Sequence, residues 1–339
     1  MLLTESLRKE ISAEWESFET LTVSTLKSGN ELLNTINGYL LEHSGKKLRP
    51  LLALCAAASF GKGINEDAIT CASVSEIIHS ATLLHDDVVD ESDLRRGTPT
   101  VRSLFSPGAS LLIGDYWLSK AVGLLVKLGN MRIMELFCGT ITDLASGEIL
   151  QMDKADKLDT SLEDYMEIIR CKTASLFVSG IVSAAMTVGA DNKQLAALRE
   201  YALNLGLLFQ MRDDILDYCD FEVTGKDCDC DIAERKITIP LLCAFDNAPQ
   251  GKAGILTLLS AIDVRNADGG KNRAIIKQIK SFVLENGGIP SAQKKLEELS
   301  DNACKSIEIL PENNFKGYLC AIPRILISEV CNYVLPNKP

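Results

Sequence analysis

Two short acidic clusters carry the chemistry this chain could do. His79–Pro99 reads HSATLLHDDVVDESDLRRGTP and places Asp86, Asp87 and Asp90 within about one helical turn. FQMRDDILDY repeats the spacing with Asp213, Asp214 and Asp217. Carboxylates three and four residues apart on a helix repel one another, so each cluster is costly unless a cation sits on it. Mg2+ suits, because it takes one or two carboxylates and completes its shell with substrate phosphate. Arg95 and Arg96 follow the first cluster, and their planar forks match phosphate oxygens. A lone acidic cluster reads as a solvated helix end followed by a basic turn. Here both clusters have apolar neighbours, Leu83, Leu84, Val88 and Val89 in one and Phe209, Ile215 and Leu216 in the other. They therefore border a core. On facing helices of a bundle they would build a carboxylate site from opposite walls.

Further cations stand along the chain, each with a surface reading beside a functional one. Lys46, Lys47 and Arg49 precede Pro50 at the start of a helix. The helix dipole prefers anions there, so the cluster makes sense if an anion docks on it; a solvated basic loop is the alternative. His79 lies two turns before Asp86 and gains interest only from that company. Lys172 and Thr173 sit amid Ile168, Ile169, Leu176 and Phe177, so the lysine either snorkels or faces a polar cleft. Lys226 and Lys236 lie in a polar loop ending at Pro240 and are surface lysines by default. Asp115 reads as a buried acid. The chain shows no Ser-His-Asp layout, phosphate-binding glycine loop or dinucleotide turn. That favours ionisation of a diphosphate over its hydrolysis, with an apolar pocket to shield a carbocation.

These residues need helices to hold them. Apolar residues recur every three to four positions and rarely alternate, so the chain reads as all-α. Helices are expected over 5–20, 24–42, 51–59, 64–90, from Pro107, over 130–152, from a capping box at Thr160–Glu163 to Val188, over 191–220, and around 253–262, 271–286, 291–309 and 314–334. With 339 residues, 46% of them apolar, the chain can bury a sizeable core, and no composition shift marks a second domain. A net charge of −11 argues against nucleic acid and anionic membrane partners. Eleven scattered cysteines read as reduced thiols, and Cys228 with Cys230 lacks the partners of a zinc site. Thr173–Ala190 is uncharged but reads as a buried core helix, so no transmembrane segment is expected, and the location is expected to be cytoplasmic.

Taken in order, Gly45–Pro50, His79, DDVVD with RRG, Lys172-Thr173, Phe209-Gln210 before DDILD, and Gly225-Lys226 before Lys236–Pro240 resemble the trans-prenyl diphosphate synthases, most like the long-chain, octaprenyl-type members. The resemblance runs from about Gly45 to about Val334. It implies a single-domain helical bundle of the isoprenoid synthase type with a deep apolar central cavity. Residues 1–42 would be peripheral helices and 43–335 the catalytic bundle of one domain spanning 1–339. It implies a homodimer and three Mg2+ ions per site held by Asp86, Asp87, Asp90, Asp213, Asp214 and Asp217. Lys46, Arg49, His79 and Arg96 would hold isopentenyl diphosphate. Arg95, Lys226 and Lys236 would hold an allylic diphosphate such as geranyl or farnesyl. Lys172, Thr173 and Gln210 would line the cation site. Asp227 and Asp229 depart from the family's loop and add negative charge there. Ala81 and Thr82 stand where short-chain members carry an aromatic plug, with Ile78 one turn further down. An open tunnel implies products of about C30 to C50, of the kind used for quinone side chains. A C15–C20 synthase, a class I terpene cyclase, and a catalytically silent regulatory subunit are the rival readings.

Overall fold

The computed structural model describes residues 2–95, 97–219, 230–264 and 270–334. The fold is all-α, apart from a two-residue antiparallel hairpin, β1 (Leu94–Arg95) with β2 (Thr98–Pro99). In order come α1 (Leu2–Glu10), α2 (Ser12–Leu26), α3 (Glu31–Glu42), α4 (Leu48–Ala58), α5 (Glu66–Val89), α6 (Val101–Leu104), α7 (Pro107–Leu128) and α8 (Met131–Lys157). Then come α9 (Leu162–Ile169), a π-turn (Arg170–Ala174), α10 (Ser175–Thr187), α11 (Asn192–Asp217) and α12 (Cys230–Ala233). The chain closes with α13 (Ile239–Asn247), α14 (Lys252–Ser260), α15 (Gly270–Glu285), α16 (Gly288–Ser306) and α17 (Asn314–Val334).

The chain divides into two compact units. One holds Met1–Thr142, Leu176–Ala202 and Ser306–Cys320; the other holds Asp143–Ser175, Leu203–Lys305 and Ala321–Pro339.

In the first unit, α5 is the axis. Asn65 caps it by accepting from the Ala68 amide, and Glu66 and Asp67 suit its positive end. Val74, Ile77, Ile78 and Ala81 are fully buried along it. Helix α7 lies so close that a Cβ on Gly114 would stand 2.3 Å from His85 Nε2 and 3.1 Å from the Ala81 carbonyl oxygen. Ser110 Oγ donates to the Leu84 carbonyl at 2.8 Å, fixing the same contact. The N-terminus forms three helices where two were expected. Ser28-Gly29-Asn30 breaks the run: Asn30 caps α3, and Asn34 Nδ2 donates back to the Ser28 carbonyl at 2.8 Å.

The helix expected from Thr160 to Val188 is interrupted; it belongs to the second unit up to Ser175 and to the first from Leu176. Ser161, not Thr160, is the cap, in a reciprocal pair with Asp164. At Arg170–Ala174 the ladder widens, and the Ser175 amide reaches the Arg170 carbonyl. π-turns cluster at functional sites, and this one carries Lys172 and Thr173. Two glycines make room for it. A Cβ on Gly147 would lie 2.6 Å from Cys171 Cβ, and one on Gly206 would lie 2.4 Å from Ala174 Cα. Leu162–Thr187 is apolar enough to cross a membrane, but 89% of its apolar window is buried within the protein. Nine cysteines among the described residues are free thiols.

Candidate active site

Both acidic clusters fall in the last turn of a helix. Asp86 and Asp87 close α5 and Asp90 is its C-cap; Asp213, Asp214 and Asp217 close α11. A helix C-terminus carries about half a negative charge, so three carboxylates there add repulsion to repulsion.

In the first unit, Asp86 is half-buried, Asp87 is buried and Asp90 is exposed. Burial pushes the Asp87 carboxyl upward, opposed by the guanidinium of Arg95, whose Nε donates to Asp87 Oδ1 at 2.7 Å. The hairpin that carries Arg95 turns at Gly97, with φ +75°. It is sewn down by Thr100 Oγ1 donating to the Ser92 carbonyl at 2.8 Å and by Arg102 on Asp93 at 2.6 Å. Arg96 lies outside the described residues. Arg49 Nη1 stands 3.2 Å from His79 Nε2, so the ring accepts at that nitrogen, and the guanidinium stacks 4.7 Å from the centre of Phe177. The structure thus joins two of the predicted diphosphate ligands. Lys46 is exposed, and Lys47 beside it caps α4 in the left-handed conformation, φ +49°. Ala81 and Ile78 are fully buried and Thr82 is half-buried. Asp115, expected to be buried, is 70% exposed and meets His85 Nε2 at 3.3 Å. It lies on the outer side of α7, between exposed Leu112 and Ser119.

In the second unit, a hydrogen-bond chain ties the π-turn to the second cluster. Thr173 Oγ1 donates to Gln210 Oε1 at 2.7 Å, and Gln210 Nε2 donates to Asp214 Oδ1 at 2.8 Å. The other oxygen of Asp214 accepts from Tyr165 Oη at 2.6 Å. Asp214 therefore has neutral donors on both oxygens. Burial raises its pKa, the nearby charge of Asp231 raises it further, and the two hydrogen bonds oppose. Burial likewise raises Asp231, with Lys236 the main opposing charge. Arg212 holds Asp213 with Nη2 at 2.6 Å and reaches Glu329 at 3.2 Å. Asp217 accepts from the amides of Cys230 and Asp231 at 3.2 and 3.1 Å, at the start of α12. A cavity of about 140 Å³ opens here, lined among others by Tyr165, Lys172, Gln210, Asp214, Asp231 and Lys236. Lys172 pairs with Glu148 and Lys236 with Glu234. Lys226, Asp227 and Asp229 lie outside the described residues.

Tyr165, Glu148 and Asp231 belong to this arrangement and escaped the sequence reading. Tyr165 stands two turns before Lys172 in an ordinary amphipathic stretch and gives no signal. Asp231 could have been noticed as a third acid beside the loop lysines.

Among the described residues no three His, Cys, Asp or Glu side chains converge as a preformed metal cage. Mg2+ needs none, since it fills most of its shell with water and phosphate. Carboxylates at two helix C-termini, with Asp87 and Asp214 raised by burial, are short of positive charge, and a divalent ion fits that need.

An all-α frame with acidic helix ends, each beside its own cations, defines the class: a helical enzyme for anionic substrates. The sequence model of the polyprenyl synthetase family matches residues 30–279. Octaprenyl diphosphate synthase of Haemophilus influenzae is 35% identical over 331 residues, covering 97% of this chain and 98% of that one. A polyprenyl synthase from Caulobacter crescentus, solved with calcium and isoprenyl diphosphate, superposes with a TM-score of 0.87 at 31% identity, covering 96% and 97%. A geranylgeranyl pyrophosphate synthase from Lactobacillus brevis gives 0.83 at 25% identity, covering 94% and 97%. The chain belongs to the polyprenyl synthetase family and is a prenyltransferase. Dependence on a divalent metal goes with that membership.

Proposed function

We propose that this chain condenses isopentenyl diphosphate head to tail with an allylic diphosphate and extends it to a long all-trans polyprenyl diphosphate. One observation carries the reading. Each unit brings its own candidate anion ligands, Arg49 with His79 in one and Lys172 with Lys236 in the other, and its own aspartate cluster. That is provision for two anionic substrates. A terpene cyclase, with one diphosphate to hold, has no use for Arg49 and His79. A silent subunit would not need both clusters intact.

Lys46, Arg49, His79 and Arg96 hold isopentenyl diphosphate; Arg95, Lys226 and Lys236 hold the allylic diphosphate. Asp86, Asp87, Asp90, Asp213, Asp214 and Asp217 hold Mg2+, three ions in all. When bound there, the metal would supply positive charge to the departing diphosphate. Tyr165 and Gln210 fix the rotamer of Asp214. Thr173 Oγ1, held by its hydrogen bond to Gln210, would supply an oxygen dipole to positive charge forming beside the π-turn. Isopentenyl diphosphate attacks the allylic cation, and the released diphosphate takes the proton that is lost.

The long product rests on small Ala81 and Thr82 and on the octaprenyl relative; the geranylgeranyl neighbour keeps a C20 product as the second reading. We also ascribe the whole chain to one catalytic domain, located in the cytoplasm, working as a homodimer. Support for the dimer comes from α7, whose most apolar window is only 33% buried, with Leu112 at 70% and Val126 at 60% exposure. Light scattering on the eluted protein would show twice the chain mass.

The test is a product assay with Mg2+, labelled isopentenyl diphosphate and farnesyl diphosphate. A ladder ending in one long polyprenol supports the reading. A stop at C15 or C20 overturns the chain length, and no elongation overturns the reaction.

A further inference from the structure

We infer that α1–α3 form a brace that sets the two diphosphate loops of the first unit, with Arg8, Glu19 and Tyr39 as positioning residues. The family model begins at residue 30, so α1 and α2 lie outside it. Their buried side chains, Leu7, Ile11, Phe18 and Leu26, account for why they fold onto the unit. They do not account for where their polar groups go.

Three of their polar contacts end on segments carrying predicted substrate ligands, while Glu10 accepts from Asn314 Nδ2 at 3.4 Å, away from those segments. Arg8 Nη2 donates to the backbone carbonyl of Lys46, while its guanidinium lies 4.6 Å from the centre of the Trp15 ring. Glu19 Oε1 accepts from Lys47 Nζ at 3.2 Å, and that ammonium sits 5.9 Å from the centre of Phe18. Tyr39 Oη donates to the Pro99 carbonyl at 2.5 Å, on the strand opposite Arg95. Residues 46 and 47 thus receive two ties from α1 and α2, and the Arg95 hairpin receives one from α3.

The reason for the ties is local. Lys47 holds φ +49° without a side-chain cap for α4. A left-handed non-glycine residue persists only where its surroundings fix it. Its conformation decides how Lys46 and Arg49 are presented on either side. The hairpin is two residues long in each strand and is too short to hold its own register. The brace is itself anchored. Asn37 Nδ2 donates to the Leu26 carbonyl at 2.7 Å and Asn37 Oδ1 accepts from Trp117 Nε1 at 2.8 Å, which ties the α2–α3 elbow to α7.

The inference rests on the proposed roles of Lys46, Arg49 and Arg95. The experiment uses the full chain with Arg8→Gln, Arg8→Lys, Glu19→Gln and Tyr39→Phe, and with Arg49→Gln as the control for those roles. Urea midpoints establish that each variant is folded; Arg8→Lys and Tyr39→Phe are conservative enough to carry the test if the others are not. Initial rates are then measured with isopentenyl diphosphate varied at saturating farnesyl diphosphate and Mg2+, and the reverse. Arg8→Gln should raise the KM for isopentenyl diphosphate about tenfold, equivalent to ~1.4 kcal/mol. Its kcat and its KM for farnesyl diphosphate should stay within twofold, and Arg8→Lys should recover most of the loss. Glu19→Gln should follow Arg8→Gln more weakly. Tyr39→Phe should raise the KM for farnesyl diphosphate and leave that for isopentenyl diphosphate. A merely structural role would lower active fraction and kcat without this split, and that outcome overturns the inference. A rise with Arg49→Gln but none with Arg8→Gln or Tyr39→Phe overturns the brace alone. No rise with Arg49→Gln overturns the subsite reading, and the brace falls with it.

Discussion

Asp90→Asn should make the protein more stable and less active. Asp90 is the exposed C-cap of α5, four residues after Asp86. A negative charge at a helix C-terminus costs about 0.3–1 kcal/mol, and a like-charge pair one turn apart about 0.2–0.5 kcal/mol more. Removing the charge while keeping the size should therefore gain about 0.5–1.5 kcal/mol. With a urea m-value of ~3 kcal/mol/M, the midpoint should rise by about 0.2–0.5 M. The charge of Asp90 also helps to raise Asp87, so that carboxyl should ionise more readily in the variant. Urea unfolding in EDTA at low ionic strength, followed by circular dichroism, reads the gain, and 1 M NaCl should remove most of it. Mg2+ with inorganic diphosphate should then reverse the order. A ligand at a hundred times its Kd stabilises by about 2.7 kcal/mol, and the variant should gain less than the parent. Condensation activity should fall by at least tenfold. A variant that is less stable in EDTA, or one that keeps parental activity, would refute the argument that these acids are placed against their helix for a metal.

Gly206→Ala should cost about 1–3 kcal/mol and lower kcat more than stability alone explains, because the new methyl meets backbone at Ala174 and displaces Thr173; urea midpoints and initial rates together check this. Tyr165→Phe leaves an oxygen of a buried carboxylate without its donor, at about 1–3 kcal/mol, and should raise the Mg2+ concentration for half-maximal rate severalfold in a metal titration. The Ser161 hydroxyl and amide hold the Asp164 carboxyl down to about 2. A depressed carboxyl stabilises above its ordinary value of ~3.9, and that contribution is lost as pH falls toward the folded value. Asp164→Asn should therefore lower the urea midpoint at pH 6, with the difference shrinking below pH ~3.9 and closing only as the pH falls through about 2. Ala81→Phe puts a ring where a fully buried methyl stood and should shorten the product ladder; an unchanged ladder shows that chain growth does not pass this face.

The all-α class, the long helices and both acidic clusters were legible because period and spacing are local properties of sequence. The stop at Gly189, with φ +77°, was legible for the same reason. Ser28-Gly29-Asn30 was equally local, but the apolar rhythm on both sides hid it. Asp115 misled because its neighbours Ile113, Gly114 and Trp117 are buried while its own direction is outward. Arg49 beside His79 joins residues thirty apart in sequence, and no local pattern encodes that. Tyr165 is invisible for a further reason. Its partnership with Asp214 depends on α11 meeting the segment that runs from α9 through the π-turn, and Gly206 permits the close approach at Ala174 by lacking a side chain.

The widened turn at Arg170–Ala174 amounts to one residue more than a regular helix would spend there. Each residue of an α-helix advances the side chains by about 100°. Deleting one residue from this turn would leave an unbroken, better-bonded helix of ordinary sequence. It would also swing Tyr165 and Ile169 about a quarter-turn away from the side chains that follow Ala174. Such a chain would score as an improved helix by every local measure and would have lost its grip on Asp214. Shortening by a single codon would therefore improve the helix and disable the site, and selection on the helix alone would favour it.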